Sequence, residues 1–446
     1  MERRSFFKGL AGSVVVAGSV SGLMSACTET VSGKSNDSHP KVYPLSTKED
    51  LIKLRDEFKS NLFNEFLPFM DKYIIDNKYG GFMCDTDRDG THIDTNKRAW
   101  YQGRGVWVYS YLYNHFDANP RYLEVADKTV EFIDKTWPKK GKLWTPWFTR
   151  EGKPIGGEDD ELYSDLHIAE GFTQYSTIKG REAYWDKAKD ILMKCIDVYE
   201  NRPGYGVNAH FYQVQIDEKK RYDGVPQPRI IGHWMDFLWL TTEMLKVRED
   251  KELEKWAAQC VDAVMNYHYN PEYDLINEYL NHDYTRIEGA QGEEVTGHVP
   301  ETLWMVLNEA ERINDMELYR KASKYIKRHI EVLWDDVYGG AFQGLMNVDA
   351  NEFDLTKALW VQNEIMIGTM KVVETLDEDW AKEWFWKTHE WVEVKTPLKQ
   401  YGFPLWMIYG DRKMTFERHY GRIGNYHLPR QWMLNIESLN RMIEKA

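Results

Sequence analysis

The sequence predicts an all-α fold, an (α/α)6 barrel of six inner and six outer helices with short β-hairpins at one mouth. Three observations predict it. Polar or aromatic clusters open apolar helical patterns at Arg104, His167, His233, His298, Trp360 to Glu364 and His427, at intervals of 63 (104 to 167), 66 (167 to 233), 65 (233 to 298), 62 to 66 (298 to 360 or 364) and 63 (364 to 427). Spacing that even marks an architectural repeat. Between these patterns run outer-type helices rich in Lys and Glu, which alternate with inner-type helices rich in Trp, Gly and isolated polar residues. Finally, Tyr79-Gly80-Gly81-Phe82 recurs as Tyr338-Gly339-Gly340-Ala341-Phe342, each after an outer helix, where paired glycines fit a turn too tight for a Cβ.

Taken from the N-terminus, Arg3-Arg4-Ser5-Phe6-Phe7-Lys8, a Gly/Ala/Val stretch and Leu23-Met24-Ser25-Ala26-Cys27 resemble a twin-arginine export signal with a lipobox, Met24 standing where Leu is usual. Residues 1–26 are then a signal, and acylation of Cys27 would make the protein an exported, membrane-anchored lipoprotein facing the periplasm or the cell surface. The apolar stretch is too short and too rich in glycine to span a bilayer. Residues 27–45 read as a polar tether, and 46–446 as a single catalytic domain. Outer helices are expected over 51–70, 120–137, 181–199, 251–267, 318–333 and 379–394, and inner helices over 100–116, 162–176, 230–247, 297–313, 356–376 and 426–443. Asp85, Asp87, Asp89 and Gly90 match half of an EF-hand loop, but its last ligand position falls on neutral Asn96, so the segment reads as a turn. The long connections Gly204 to Pro228 and Asn270 to Thr296 alternate polar and aromatic residues, as hairpins over the mouth would.

A net charge of −14 and the lack of a basic run in the mature chain argue against nucleic acid and anionic membrane surfaces as partners. Eighteen Trp and 27 Tyr suit a helical core and a cleft that stacks the flat faces of sugars. Without Cys27, three cysteines remain, and they have no CxxC spacing, so neither a disulfide framework nor a zinc site is expected. A phosphate-cradling loop is missing, and no metal or cofactor is expected.

Two chemistries compete. A glycosidase would need two carboxylates from among Asp165, Glu170, Asp236, Glu301 and Glu364. Proton transfer at a carbon next to a carbonyl needs bases of near-neutral pKa and a cation for the enediolate oxygens. For that the inventory is fuller. His298 and Glu301 lie three residues apart at the start of an inner helix, a spacing at which the carboxylate can orient the ring. His427 and Arg104 stand on two other inner helices.

Gly297-His298-Val299-Pro300-Glu301, Tyr426-His427-Leu428-Pro429-Arg430 and Trp100-Tyr101-Gln102-Gly103-Arg104-Gly105-Val106-Trp107 resemble the N-acylglucosamine 2-epimerase family, which includes cellobiose 2-epimerases and aldose-ketose isomerases. The resemblance implies His298 and His427 as the catalytic pair, Glu301 as the partner of His298, and Arg104 at the O1/O2 region of the sugar. It further implies Trp360 as a stacking wall, with Gln362, Glu364, Tyr101, Arg430 and His233 completing the substrate-binding set. The expected reaction is inversion of C2 of a reducing aldose, of N-acylglucosamine or glucose type. The alternatives are an aldose-ketose isomerase on the same site and a glycoside hydrolase of the same barrel class. His233 stands where cellobiose epimerases carry an Asn-x-His-x-His run, and the Arg418 to Arg422 stretch replaces a usual Trp. The expected partner is a small sugar; a homodimer is compatible with the sequence.

Overall fold

The computed structural model describes residues 45–87, 89–158, 162–202, 228–286, 295–397 and 424–446. The signal, Cys27, nearly all of the tether, the Arg418 to Arg422 stretch and most of the Gly204 to Pro228 connection lie outside the described residues. Among the described residues the chain runs through twelve long helices. The first six are α1 (Lys48–Ser60), α2 (Ala99–His115), α3 (Pro120–Lys135), α4 (Tyr163–Ser176), α5 (Ala183–Asn201) and α6 (Ile231–Val247). The rest are α7 (Lys251–Asp262), α8 (His298–Ile313), α9 (Met316–Leu333), α10 (Leu359–Leu376), α11 (Asp379–Lys395) and α12 (His427–Lys445).

The even-numbered helices form a closed inner ring. Each packs on the next, and α12 returns to α2. Every inner helix carries the outer helix that follows it, except that α12 carries α1, so the first and the last of the twelve helices pair. The (α/α)6 barrel predicted from the repeat is therefore the observed fold. Burial explains the two helix types. Outer α9 buries Tyr319, Ala322, Ser323, Ile326, Ile330 and Leu333, an i, i+3, i+4 stripe, behind an Asp315 side chain that accepts from the Glu317 and Leu318 N–H groups. Inner α4 buries every residue from Tyr163 to Ser176, so each polar side chain on it needs a partner or a ligand.

The recurring Tyr-Gly-Gly segments are a structural duplication. Gly80, Gly81, Gly339 and Gly340 all have φ between 70° and 81°, where glycine avoids the Cβ clash. Beside the first turn, buried Lys97 donates to Asp76 (2.9 Å) and to the Gly80 carbonyl (2.6 Å). Beside the second, Lys357 does the same to Asp335 (2.5 Å) and Gly339 (2.6 Å). Gln102 accepts from the Phe82 N–H (2.8 Å), as Gln362 does from that of Ala341 (2.9 Å). The Lys357 tie also explains why α10 starts at Leu359 and not at Thr356: it holds the chain extended through Ala358, at ψ 135°.

Short strands feed the inner-helix N-termini and so gather at one mouth. Lys97–Arg98 leads into α2, Arg229–Ile230 into α6, and Val295–Thr296 stands just before α8. Arg229–Ile230 pairs antiparallel with Tyr279–Leu280, and Val295–Thr296 pairs with Gly344–Asn347. The hairpin expected within Asn270 to Thr296 is Tyr269–Asn270 with Leu275–Ile276.

Candidate active site

His298 and His427 are each the first residue of an inner helix. Their rings flank one indole, with centroids 5.5 Å and 5.6 Å from that of Trp360. A carboxylate holds Nδ1 of each. For His427 it is Glu364, at 2.8 Å. For His298 it is Glu278, at 2.9 Å, and Glu278 is itself fixed by Thr296, whose hydroxyl donates to it at 2.7 Å. Nδ1 of each ring thus faces a carboxylate at 2.9 Å or less, closer than the 3.4 Å to Arg430 Nη2 at His427, so Nε2 is the nitrogen that can exchange a proton with a bound molecule. Burial opposes charge on His298, but Glu278 beside it, with Glu301 and Asp236 beyond, keeps its pKa above the usual imidazole value.

Glu301 is not the hydrogen-bond partner that the i, i+3 spacing suggested for His298. It accepts from Arg430 Nη2 and lies 3.9 Å from His427 Nδ1. The His298 ring is turned toward the strand segment behind it, where Glu278 has reached it first. Arg430, expected in the substrate-binding set, is buried, ion-paired with Glu301 and with Glu364 (2.8 Å), and donates to the Tyr426 hydroxyl (2.8 Å), so it holds these carboxylates together. Glu364 in turn serves His427, accepts from Trp304 Nε1 (2.8 Å), and is pushed by burial above the usual carboxylate range although Arg430 counters this. Ligand atoms of Glu301, Glu364 and His427 lie within 4.8 Å of one another. The guanidinium already supplies positive charge to that cluster.

Gln362, expected on the substrate, is wholly buried with both amide atoms on backbone: it accepts from Ala341 N–H and donates to the carbonyls of Ala341 (2.8 Å) and Ala358 (3.3 Å). Tyr101 packs into the apolar core; its neighbour Trp100 is the ring beneath the Arg104 guanidinium, 5.1 Å from its centroid. His233 is enclosed by Tyr163 (4.8 Å) and Tyr199 (5.2 Å). One turn later on α6, Asp236 is the carboxyl that shares the electrostatic field of Glu170, Arg104, Glu301 and His298, and burial with the Glu170 charge drives its pKa well up. Its Oδ2 is buried without a hydrogen-bond partner.

One site residue escaped the sequence reading and a second was read in another role. Glu278 sits in an irregular strand segment 20 residues before His298, where no helical period flags it. Glu170, on α4, was offered only as a candidate carboxylate of the hydrolase reading. It accepts from Trp239 Nε1 (2.8 Å), the Tyr426 hydroxyl and His167 Nδ1 (3.1 Å). The shared His-x-x-acid spacing of His167/Glu170, His233/Asp236 and His298/Glu301 was the available signal.

The sequence profile described as N-acylglucosamine 2-epimerase (GlcNAc 2-epimerase) matches residues 80–428, most of the chain. The chain belongs to this family. N-acylglucosamine 2-epimerase of Bos taurus is 23% identical over 388 residues, 83% of this chain and 87% of the relative. Among solved structures, cellobiose 2-epimerase from Bacillus thermoamylovorans superposes with a TM-score of 0.72 at 19% identity, covering 86% of this chain and 99% of that one. A family 76 glycoside hydrolase from Bacteroides thetaiotaomicron shares the barrel more distantly, with a TM-score of 0.55 at 11% identity over 89% of this chain and 79% of that one. Membership in the N-acylglucosamine 2-epimerase family matches the expectation drawn from the Gly297 to Glu301, Tyr426 to Arg430 and Trp100 to Trp107 segments.

Proposed function

We propose that this family member is a sugar 2-epimerase that inverts C2 of a reducing aldose by two-histidine proton transfer. One observation carries the reading: two imidazoles, each held through Nδ1 by a buried carboxylate, stand at near-equal distances from the Trp360 ring, 5.5 Å and 5.6 Å between centroids. A planar intermediate held between the two rings, with its edge toward Trp360, offers one face of C2 to each. After ring opening, Nε2 of one histidine removes the C2 proton. Arg104 and the inner-helix N-termini stabilise the enediolate, and the other histidine returns a proton to the opposite face. The carboxylates of the rival hydrolase reading are already committed. Asp165 is tied to the Trp144 N–H (2.8 Å) and Lys194 (2.5 Å), Glu170 to three donors, and Glu301 and Glu364 to Arg430. Asp236 alone does not make a pair.

The deciding experiment is turnover of free reducing sugars in D2O. An epimerised aldose carrying deuterium at C2 supports the reading. Ketose formed with hydrogen carried from C2 to C1 would indicate the isomerase, and glycosidic cleavage that survives His427→Ala the hydrolase. The same protein, we infer, is exported and anchored through Cys27, which the Arg3-Arg4 signal and the lipobox-like Leu23 to Cys27 support. Cys27→Ser should then move it from the membrane fraction to the soluble one.

A further inference from the structure

We propose that His167 is a specificity-determining hydrogen-bond acceptor which, with Arg104, reads an acylamido group at C2 of the substrate; the proposal rests on the epimerase reading. The tautomer follows from Glu170. That carboxylate faces the indole N–H of Trp239, which can only donate, and the Tyr426 hydroxyl, and its other oxygen faces His167 Nδ1 at 3.1 Å. Three partners at one carboxylate must bring hydrogens to it. His167 therefore carries its proton on Nδ1 and presents the Nε2 lone pair. Burial and the nearby Arg104 charge lower its pKa to about 4, which keeps this neutral form in place at neutral pH.

His167 is 3% exposed, and its Nε2 has no hydrogen-bond partner. The same holds for Nε of half-buried Arg104. The two groups belong to one wall. A Cβ at Gly103 would collide with the His167 carbonyl, and one at Gly171 with that of Gly103, so α2 and α4 meet backbone to backbone. Both side chains then lie against the same rings: Trp100, 5.1 Å from the guanidinium and 6.2 Å from the imidazole, and Tyr426, at 4.9 Å and 6.2 Å. The Tyr426 ring is 5.4 Å from that of His427, so this wall adjoins the acid/base site. An acceptor beside a cationic donor is the complement of a secondary amide, whose N–H only donates and whose carbonyl only accepts. A hydroxyl could fill either place in either sense. The fixed polarity of this wall is thus best used on an acylamido substituent.

The test compares N-acetylglucosamine, its N-methylated acetamide analogue, which keeps the carbonyl but lacks the N–H, and glucose, each followed by C2 deuteration in D2O. For the wild type, loss of the N–H is expected to lower kcat/KM on the order of tenfold to hundredfold, mainly through KM, because a buried acceptor is left unmet. In His167→Phe that discrimination should collapse to within about threefold, and His167→Gln, which restores an acceptor oxygen, should recover part of it. Undiminished discrimination in His167→Phe, or none in the wild type, overturns the proposal. Wild-type exchange of glucose alone overturns it while leaving the epimerase standing. Wild-type exchange of no aldose at all overturns both.

Discussion

Glu278→Gln separates the geometry described above from the pairing that helical spacing suggested. Glutamine keeps an acceptor oxygen for Nδ1–H of His298 but removes the charge 2.9 Å from that nitrogen. Two unit charges about 4 Å apart interact by ~4 kcal/mol at an effective dielectric constant of about 20. At ~1.4 kcal/mol per pKa unit, that sets a ceiling of about three units. Glu301 and Asp236 still act on the ring, so a fall on the order of one to two units is expected. In the direction of reaction where His298 is the base, the acidic limb of the kcat/KM profile should move down by that amount. The weaker base should also lower the plateau on the order of tenfold. Stability gives an independent check. A folded-state pKa above the ordinary imidazole value stabilises the protein below that ordinary value, and this contribution is lost as pH rises through the folded pKa. The substitution should therefore cost more stability at pH 6 than at pH 9. A folded, active variant whose acidic limb has not moved would refute His298 as the titrating base, and a shift on Glu301→Gln of equal size would restore the spacing-based pairing.

Gln362→Ala should destabilise by ~2–3 kcal/mol in urea unfolding, by leaving buried backbone groups of Ala341 unmet, with KM unchanged; a raised KM at full stability would return Gln362 to the substrate. Arg430→Met leaves Glu301 and Glu364 buried without their cation, and a loss of ~3–5 kcal/mol is expected along with misorientation of His427; a stability change under about 1 kcal/mol would show that the guanidinium does not brace them. For Asp236→Asn the sign runs the other way. An acid whose folded pKa is raised loses stability for the wild type as pH climbs from the unfolded carboxyl value toward the folded one. The variant's thermal midpoint should accordingly gain on the wild type as pH rises from 5 to 8, and a constant difference would mean that Asp236 is ionised throughout.

The barrel was legible because its signal is long-range and regular: helix periodicity, alternation of faces and intervals near 64 residues all encode one repeat. The placement of His298, His427 and Trp360 within the first two residues of inner helices, with Arg104 in the second turn of another, follows from the same repeat. What failed was the assignment of partners. Spacing says that Glu301 and His298 share a helix face, but rotamer and neighbours decide which acceptor the ring meets, and Glu278 arrives from a strand pairing that the sequence does not announce. Gln362 and Arg430 show a different gap: both lie in motif-bearing segments, and a motif does not announce the backbone groups and carboxylates that their side chains meet.

The pairing of α12 with α1 has a consequence for the order in which the molecule is made. Of the twelve helices, the one that closes the ring is made after the other eleven, and it brings His427 and Arg430 with it. Until then α1 has no inner helix to cover its apolar stripe, and Glu301 and Glu364 have no guanidinium between them. Before that helix is made, the nascent barrel is thus an open arc without His427. Loss of α12, by a premature stop or by proteolysis, would remove His427 and ring closure in a single event, so a truncated product should be cleared as unfolded chain.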